Sequence, residues 1–508
     1  MGTTQCIRIQ IMDTTLRDGE QTNGVSFVAH EKMQVVKKLL CDVGVDRVEV
    51  ASARVSDGEQ QSLQQICDWA RRHDFLERIE VLGFVDNHKS LDWINVCGGR
   101  TVNLLCKGSR LHCEKQLGKT LEEHLNDIRH EIAYAQQLGI KVHVYMEDWS
   151  NGMKHSPDYV YAFLDALKGE PIERFLLPDT LGILSPQTTY TYIKNIIERY
   201  PQVAFDFHPH NDYGMAVGNI ASAIAAGCHC VHTAVNGLGE RAGNAPLAAV
   251  QAVIKDHFGY RTNINEKELL NLSRLVEGFS GIPVAFNQPV VGGYVFTQVA
   301  GVHADGDNKS NLYCNALLPE RFGRKREYAL GKNSGKANIL RNIQELGLEL
   351  TPEETRRVTQ HIVQLADKKE IVSPEDLPYI ISDVLKHDAT ESKVKLLSYF
   401  VTNSYGLKPI ASLCIEIDGQ KYETNSSGDG QYDAFVRGLR HIYQNILKRP
   451  FPRLADYVVH IPPGGRTDAF VHTIITWQLE GRTFRTHALD PDQTEAAVKA
   501  TIKMLNLL

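Results

Sequence analysis

His208-Pro-His210-Asn-Asp212 is the segment of this sequence with the most direct chemical reading. Two histidines two apart on an extended strand face the same side, so both imidazoles can be offered to one metal ion. Such a pair needs a third donor, and an oxygen is expected if the ion is Mg, Mn or Fe. Asp18, in the loop after the first apolar run, is the candidate. Two imidazoles and one carboxylate leave positions open for a bidentate ligand such as a 2-oxo acid, with the ion acting as a Lewis acid on its carbonyl. Arg17, next to Asp18, is placed to hold an oxygen on which charge develops. The glycines of Gly237-Leu-Gly-Glu-Arg-Ala-Gly-Asn244 imply a tight loop with close backbone approach. Their spacing is not that of a dinucleotide fingerprint. Gly331–Lys336 (GKNSGK) lacks both the spacing and the preceding strand of a phosphate loop.

These residues fall at the ends of regularly recurring strands. Short apolar or β-branched runs, each followed by a helical pattern, occupy Arg8–Thr15, Arg47–Ser52, Ile79–Val85, Thr101–Lys107, Lys141–Asp148, Arg174–Thr180, Ala204–His210 and Cys230–Asn236. Glu31–Val43 and Thr120–Leu138 are amphipathic stretches between them. Near-continuous apolar strands alternating with helices imply a parallel sheet, and eight such units favour a closed (β/α)8 TIM barrel. The C-terminal strand ends of such a barrel share one mouth. Asp13, Asp18, Glu49, Glu147, Asp179, Thr180, His208, His210 and Asn236 would gather there.

Beyond residue 260 the pattern changes. A helix is expected over Glu266–Phe279, then Gly-rich segments, then helices over Lys336–Leu346, Thr351–Leu365 and one ending near His387. Strands over Lys395–Asn403, Ile410–Ile417, Asp456–Pro462 and Phe470–Leu479, with helices over Tyr432–Leu447 and Gln493–Leu505, describe a small α+β domain. The expected division is a barrel over 1–280, intervening helical segments over 281–390 and a C-terminal α+β domain over 391–508.

Composition limits the classes of function. The 508 residues carry 55 Lys+Arg and 61 Asp+Glu, a net charge of −6, with 43% apolar and 23% charged residues. That is globular composition with no basic footprint for nucleic acid. No apolar run is long enough to span a membrane, and no export segment is expected. The ten cysteines are scattered without paired spacing, as free thiols of a reducing cytoplasm would be. A cytoplasmic location is the expectation.

Asp13-Thr-Thr-Leu-Arg-Asp-Gly-Glu-Gln21, His208-Pro-His-Asn-Asp212 and GLGERAGN at 237–244 together resemble the 2-isopropylmalate, homocitrate and citramalate synthase family, part of the DRE-TIM metallolyases. The resemblance continues through Gly301-Val-His303-Ala-Asp305, Ser334-Gly-Lys336 and Asp429-Gly-Gln-Tyr-Asp-Ala434. It implies a Claisen condensation of acetyl-CoA, as co-substrate, with a 2-oxo acid, followed by thioester hydrolysis. By the same resemblance Asp18, His208, His210 and Asn244 hold a divalent metal (Mg, Mn, Co or Zn). Arg17 polarises the substrate, and Glu49 and Thr180 belong to the substrate site. Glu147, Glu240 and His303 are catalytic, with Glu147 or His303 as the base, and Tyr313 matches loosely a tyrosine near His303. The family also implies a homodimer and a branched-chain amino-acid effector. Arg17-Asp18 stands where homocitrate synthases carry Arg-Glu, which sets that member aside; 2-isopropylmalate synthase comes first as the commoner member of the family, with (R)-citramalate synthase as the alternative and a hydroxyacyl-CoA lyase more distant. Val48–Arg54 and Leu105–Arg110 depart from the 2-isopropylmalate synthase pattern, and Glu147–Lys154 resembles long citramalate synthases.

Overall fold

The computed structural model describes residues 7–331, 336–345, 350–367, 377, 380, 381, 384, 393–402, 405–460 and 471–508. Eight parallel strands close into a barrel in sequence order. They are β1 (Gln10–Asp13), β2 (Arg47–Ser52), β3 (Ile79–Phe84), β4 (Thr101–Lys107), β5 (Lys141–Glu147), β6 (Ile172–Asp179), β7 (Phe205–Pro209) and β8 (Cys230–Thr233). Closure is direct, with Gln10–Asp13 paired in register against Cys230–Thr233. The expected barrel and its eight strands are therefore observed, with ends differing by a few residues. Helices follow the strands, and several are capped as their sequences foretell. Thr120 and Glu123 form a reciprocal capping box, and Ser185 precedes a Pro186 that opens the helix Pro186–Arg199.

The outer faces of the strands and the inner faces of the helices form one apolar core, which includes Ile11, Val48, Val81, Val144, Leu177 and Val231. Successive strand residues alternate sides, so the residues between these point into the barrel. Barrel interiors are ordinarily filled by Val, Ile and Leu. Here the inward positions carry Arg47 and Glu49, Glu80, Asn103, His143 and Tyr145, Asp206 and His208, and His232, all buried. An apolar island of Leu82, Tyr145 and Leu176, edged by Phe84 and Leu105, is separate from the outer core.

The chain divides into two compact units. The first is Met1–Phe296 with Cys314–Arg326, and the second is Thr297–Tyr313 with Glu327–Leu508. The second unit contains the helices Gly301–Ser310, Lys336–Glu345 and Pro352–Asp367. It also contains two three-stranded antiparallel sheets with the helices Gln431–Arg440 and Gln493–Asn506. Two of its six long strands, Gln420–Ser427 and Arg482–Asp490, were not expected from sequence. Each is the return arm of a hairpin whose turn, Asp418-Gly419 or Glu480-Gly481, has both residues at positive φ. That is the type of turn a two-residue hairpin demands. The helix expected to end near His387 lies outside the described residues, apart from isolated positions. Among the described residues no helix is long and apolar enough to cross a membrane, and the cysteines form no disulfide.

Two glycines hold the end of β5 in place. Gly108 donates its N–H to the carbonyl of Glu147 at 2.6 Å. A Cβ on Gly152 would stand 2.2 Å from the carbonyl oxygen of Gly108. Backbone meets backbone there, so neither side can yield without moving Glu147 and Asp148. Gly152→Ala is expected to destabilise the first unit by about 1–3 kcal/mol, the usual cost of overpacking. Thermal denaturation followed by near-ultraviolet circular dichroism checks this, and an unchanged melting curve would contradict the close approach.

Candidate active site

The loop after β1 is wound tightly. The carbonyl of Thr14 accepts N–H groups from Arg17, Asp18 and Gly19, at 3.1, 2.8 and 3.1 Å. Asp13 accepts the Thr15 N–H at 3.0 Å, and Thr15 Oγ1 accepts the Val235 N–H at 2.8 Å. This anchoring turns Arg17 and Asp18 together into the barrel mouth. Asp13 and Asp179 are fully buried supports of turns. Asp179 takes the N–H groups of Ile183 and Leu184, and Asn236 takes the hydroxyl of Ser273. Of the polar strand-end residues, these three shape the loops. Burial also pushes the Asp13 carboxyl up to about 7.

His208 and His210 come up from β7 on one face. Their Nε2 atoms lie 3.3 and 3.9 Å from Asp18 Oδ2, and donor atoms of all three residues lie within 4.8 Å of one another. Burial pushes both imidazoles down, His210 to about 4, which leaves them neutral with lone pairs to give. Burial would raise the Asp18 carboxyl, but Arg17 and the two histidines outweigh it and hold the group well below the usual range. Asn244, paired with His210 by an isolated bridge, donates to Asp18 Oδ1 at 3.0 Å and to the Leu238 carbonyl at 2.9 Å. Its own Oδ1 is buried with no partner, as are Nδ1 of His208 and of His210. A buried acceptor without a partner is costly, and next to two imidazoles and a carboxylate it fits a divalent cation. The donor set expected from sequence is thus assembled in one place.

The loop 237–244 that carries Asn244 is as tight as its glycines suggest. Gly237, Gly239 and Gly243 have positive φ, and a Cβ on Gly243 would lie 2.0 Å from the Gly237 carbonyl oxygen. Arg241 donates to Asp212 Oδ1 at 2.7 Å and to the Thr180 carbonyl at 2.7 Å, tying the loops after β6, β7 and β8 together. Glu240 is exposed at the rim.

A second group of donors, Asp206, Cys230 and His232, is also close-set. Its centre is already served by a cation, because Arg47 Nη2 bonds both Asp206 and Cys230 Sγ.

Arg17 is 9% exposed, and its guanidinium is fully engaged on its inner side. Nε donates to Glu49, Nη1 to Asp18 Oδ2 at 2.9 Å and Nη2 to the hydroxyl of Tyr145 at 3.3 Å. Each Nη keeps one N–H unassigned. Glu49 is completely buried and also accepts from Asn103 Nδ2 at 2.7 Å. It was expected at the substrate, and the structure places it behind Arg17, outside the lining of the pocket.

The polar residues of the interior close a ring. From Glu49 the path runs through Asn103 to His143 Nδ1 at 3.0 Å, and His143 lies 3.4 Å from Glu80. Arg47 donates to Glu80 at 2.6 Å and to Asp206. His232 lies 3.1 Å from both Asp206 and the Tyr145 hydroxyl, which returns to Arg17. Burial opposes charge on His143, but Glu80 beside it wins and raises its pKa. Burial lowers that of His232 against the pull of Asp206. Arg47, Glu80, Asn103, His143, Tyr145, Asp206 and His232 carry no expectation from sequence motifs. The available signal was alternation of polar residues inside otherwise apolar strands, as in His143-Val-Tyr145-Met-Glu147.

Above Arg17 opens a pocket of about 310 Å³. Asp18, His208, His210, Glu147, Thr180 and Glu240 line its wall, and Leu82, Phe84, Leu105 and Tyr145 its apolar side. Glu147 pairs with Lys107, and Thr180 Oγ1 accepts the N–H of Asp148 at 2.9 Å. Asp148 holds a left-handed conformation with φ 63°, the kind of local strain that collects at functional sites. His303 lies in the second unit, its ring stacked on that of Tyr313 with centroids 4.2 Å apart.

Comparison with known proteins matches three segments of the chain. Residues 8–276, more than half the chain, match the HMGL-like family model. Residues 290–370 match the homocitrate synthase post-HMGL domain-like model, and 371–508 the LeuA allosteric (dimerisation) domain. A putative (R)-citramalate synthase of Methanopyrus kandleri is 32% identical, over 91% of this chain and 89% of that protein. In Methanocaldococcus jannaschii, a 2-isopropylmalate synthase is 31% identical, over 98% of this chain and 94% of that protein. An (R)-citramalate synthase of the same organism is 30% identical, over 98% and 99%. Among solved structures, an HMG-CoA lyase of Bacillus subtilis is 21% identical, covering 55% of this chain and 95% of that chain with a TM-score of 0.47. By its sequence and its three matched domains, this chain belongs to the 2-isopropylmalate synthase and citramalate synthase family of HMGL-like enzymes.

Proposed function

We propose that this enzyme condenses acetyl-CoA with a short 2-oxo acid, pyruvate before 2-oxoisovalerate, and hydrolyses the thioester to release CoA. The observation that carries the reaction class is the assembly of Arg17, Asp18, His208, His210 and the unpaired Asn244 Oδ1 at one pocket. Asp18, His208, His210 and Asn244 would hold a divalent ion that acts as a Lewis acid on the oxo group. Arg17 turns its two unassigned N–H groups to the oxygen that gains charge as the carbon–carbon bond forms. The base that takes the methyl proton of acetyl-CoA is Glu147 or His303. Glu147 offers a carboxylate inside the pocket, steadied by Lys107. Thr180 and Arg241 tie the rim around the substrate carboxylate.

Substrate size follows from the apolar side. The commoner member of the family takes 2-oxoisovalerate, the departures at Val48–Arg54 and Leu105–Arg110 lean the other way, and relatives of either name stand at similar identity. Leu82, Phe84, Leu105 and Tyr145 are all large, and Leu82 and Tyr145 are already packed to 5% and 3% exposure. A methyl group fits against such a floor with less displacement than an isopropyl group. A methylene in an apolar pocket is worth about 1–3 kcal/mol, and the large side chains of this floor support pyruvate as the smaller substrate. The LeuA-type domain supports a homodimer, with a branched-chain amino acid as effector.

Thiol release from acetyl-CoA, measured in parallel with pyruvate, 2-oxoisovalerate, 2-oxobutyrate and 2-oxoglutarate, should be fastest with pyruvate. Turnover with none of them ends the synthase reading, and faster turnover with 2-oxoisovalerate ends the size argument. Leu105→Ala should raise kcat/KM for 2-oxoisovalerate relative to pyruvate by about tenfold or more. Chelation should abolish activity, and divalent metal should restore it. Calorimetric titration of the chelated protein should show His210→Ala losing more than the roughly 10–100-fold in metal affinity that an outer hydrogen-bond partner is worth.

A further inference from the structure

The hydroxyl of Tyr145 stands between two groups of unlike kind. Arg17 Nη2 donates to it at 3.3 Å, and Nδ1 of His232 lies 3.1 Å away. The other ring nitrogen, Nε2, lies 3.1 Å from Asp206 Oδ2. The direction of this chain is fixed by its first member. Arginine has donors only, so the hydroxyl accepts from Arg17 and must send its one proton to His232 Nδ1. That nitrogen is therefore bare, and the imidazole proton sits on Nε2, donated to Asp206. Asp206 is itself anchored by Arg47 and, at 2.8 Å, by Arg174. Tyr145 lines the pocket, whereas His232 is 1% exposed and does not.

We propose that His232 is a positioning residue for the condensation: by accepting the Tyr145 proton on a nitrogen left bare by its bond to Asp206, it turns the hydroxyl lone pairs to Arg17 and fixes the guanidinium at the pocket. Without that acceptor the hydroxyl can rotate its proton toward Arg17, and a donor then faces a donor. The guanidinium would lose one of its three inner contacts and with it the aim of its free N–H groups. The effect belongs to the step in which oxygen gains charge, so it falls on kcat more than on the binding of the oxo acid. This inference rests on the role of Arg17 proposed above.

The test is steady-state thiol release by full-length, metal-supplied enzyme carrying His232→Gln, His232→Leu, Tyr145→Phe, or Tyr145→Phe with His232→Leu. His232→Leu should lower kcat by about 10–100-fold, with KM for the oxo acid changed by less than about threefold. Glutamine offers one acceptor and one donor, so His232→Gln should keep kcat within about threefold of wild type. In the Tyr145→Phe background, His232→Leu should cost less than about a further twofold, because its route to Arg17 is already cut. Equal losses for Gln and Leu, or losses that multiply fully in the double variant, would make His232 a packing residue and overturn the proposal. If His232→Leu does not fold, the Gln variant decides alone, and a loss above about tenfold in folded protein overturns it. An inactive wild type would mark failure of the underlying reading, since it appears before any variant is compared.

Discussion

A guanidinium taken out of water inside a barrel is the constraint from which the rest follows. Arg17 cannot be buried unless its N–H groups are met, and the groups that meet it cannot be buried unless they are met in turn. Glu49 needs Asn103, Asn103 orders His143, and His143 lies against Glu80. Tyr145 needs His232, which needs Asp206. Both paths end on Arg47, so two arginines and the polar groups between them form a closed circuit. Taking ions from water costs several kcal/mol each even after relaxation, and apolar replacements of buried ion pairs are often as stable or more so. The circuit is therefore better understood as the means of holding one cation at a chosen place and angle than as a source of stability.

Much of this was legible in the sequence, for definite reasons. Near-continuous apolar strands at regular spacing announce a parallel sheet, because both faces of such a strand are buried. His208 and His210 announce themselves by their two-residue spacing. Glu49 and Tyr145 are different. A strand-end rule brought Glu49 to the mouth, although its position in the middle of β2 sets it behind Arg17. Tyr145 sits among Val144 and Met146 in β5 and looks like one more core residue until inward and outward positions are separated. The two missed strands of the second unit have exposed faces with little apolar content, so their signal lies in the turns before them.

The pocket joins two environments that rarely coexist in so small a space. One side offers neutral imidazoles, a carboxylate held ionised by Arg17 and a rim where Arg241 is paired with Asp212. The other is an island of Leu and aromatic side chains. A molecule with two adjacent oxygen functions and a short apolar tail is oriented by such a division alone. The island is separated from the outer core by the strands themselves.

Asn244, like Asp18, is carried by a loop. Its place is set by backbone contacts within residues 237–244, above all the approach of Gly243 to Gly237, and by the bond from Asn244 N to the Gly237 carbonyl at 3.0 Å. Filling the site and ordering the loop are then one equilibrium. Whatever engages the Asn244 oxygen also stabilises the loop, and whatever steadies the loop from its rim tightens the site by the same free energy. The same loop reaches Thr180 and Asp212 through Arg241, so three strand ends share that coupling.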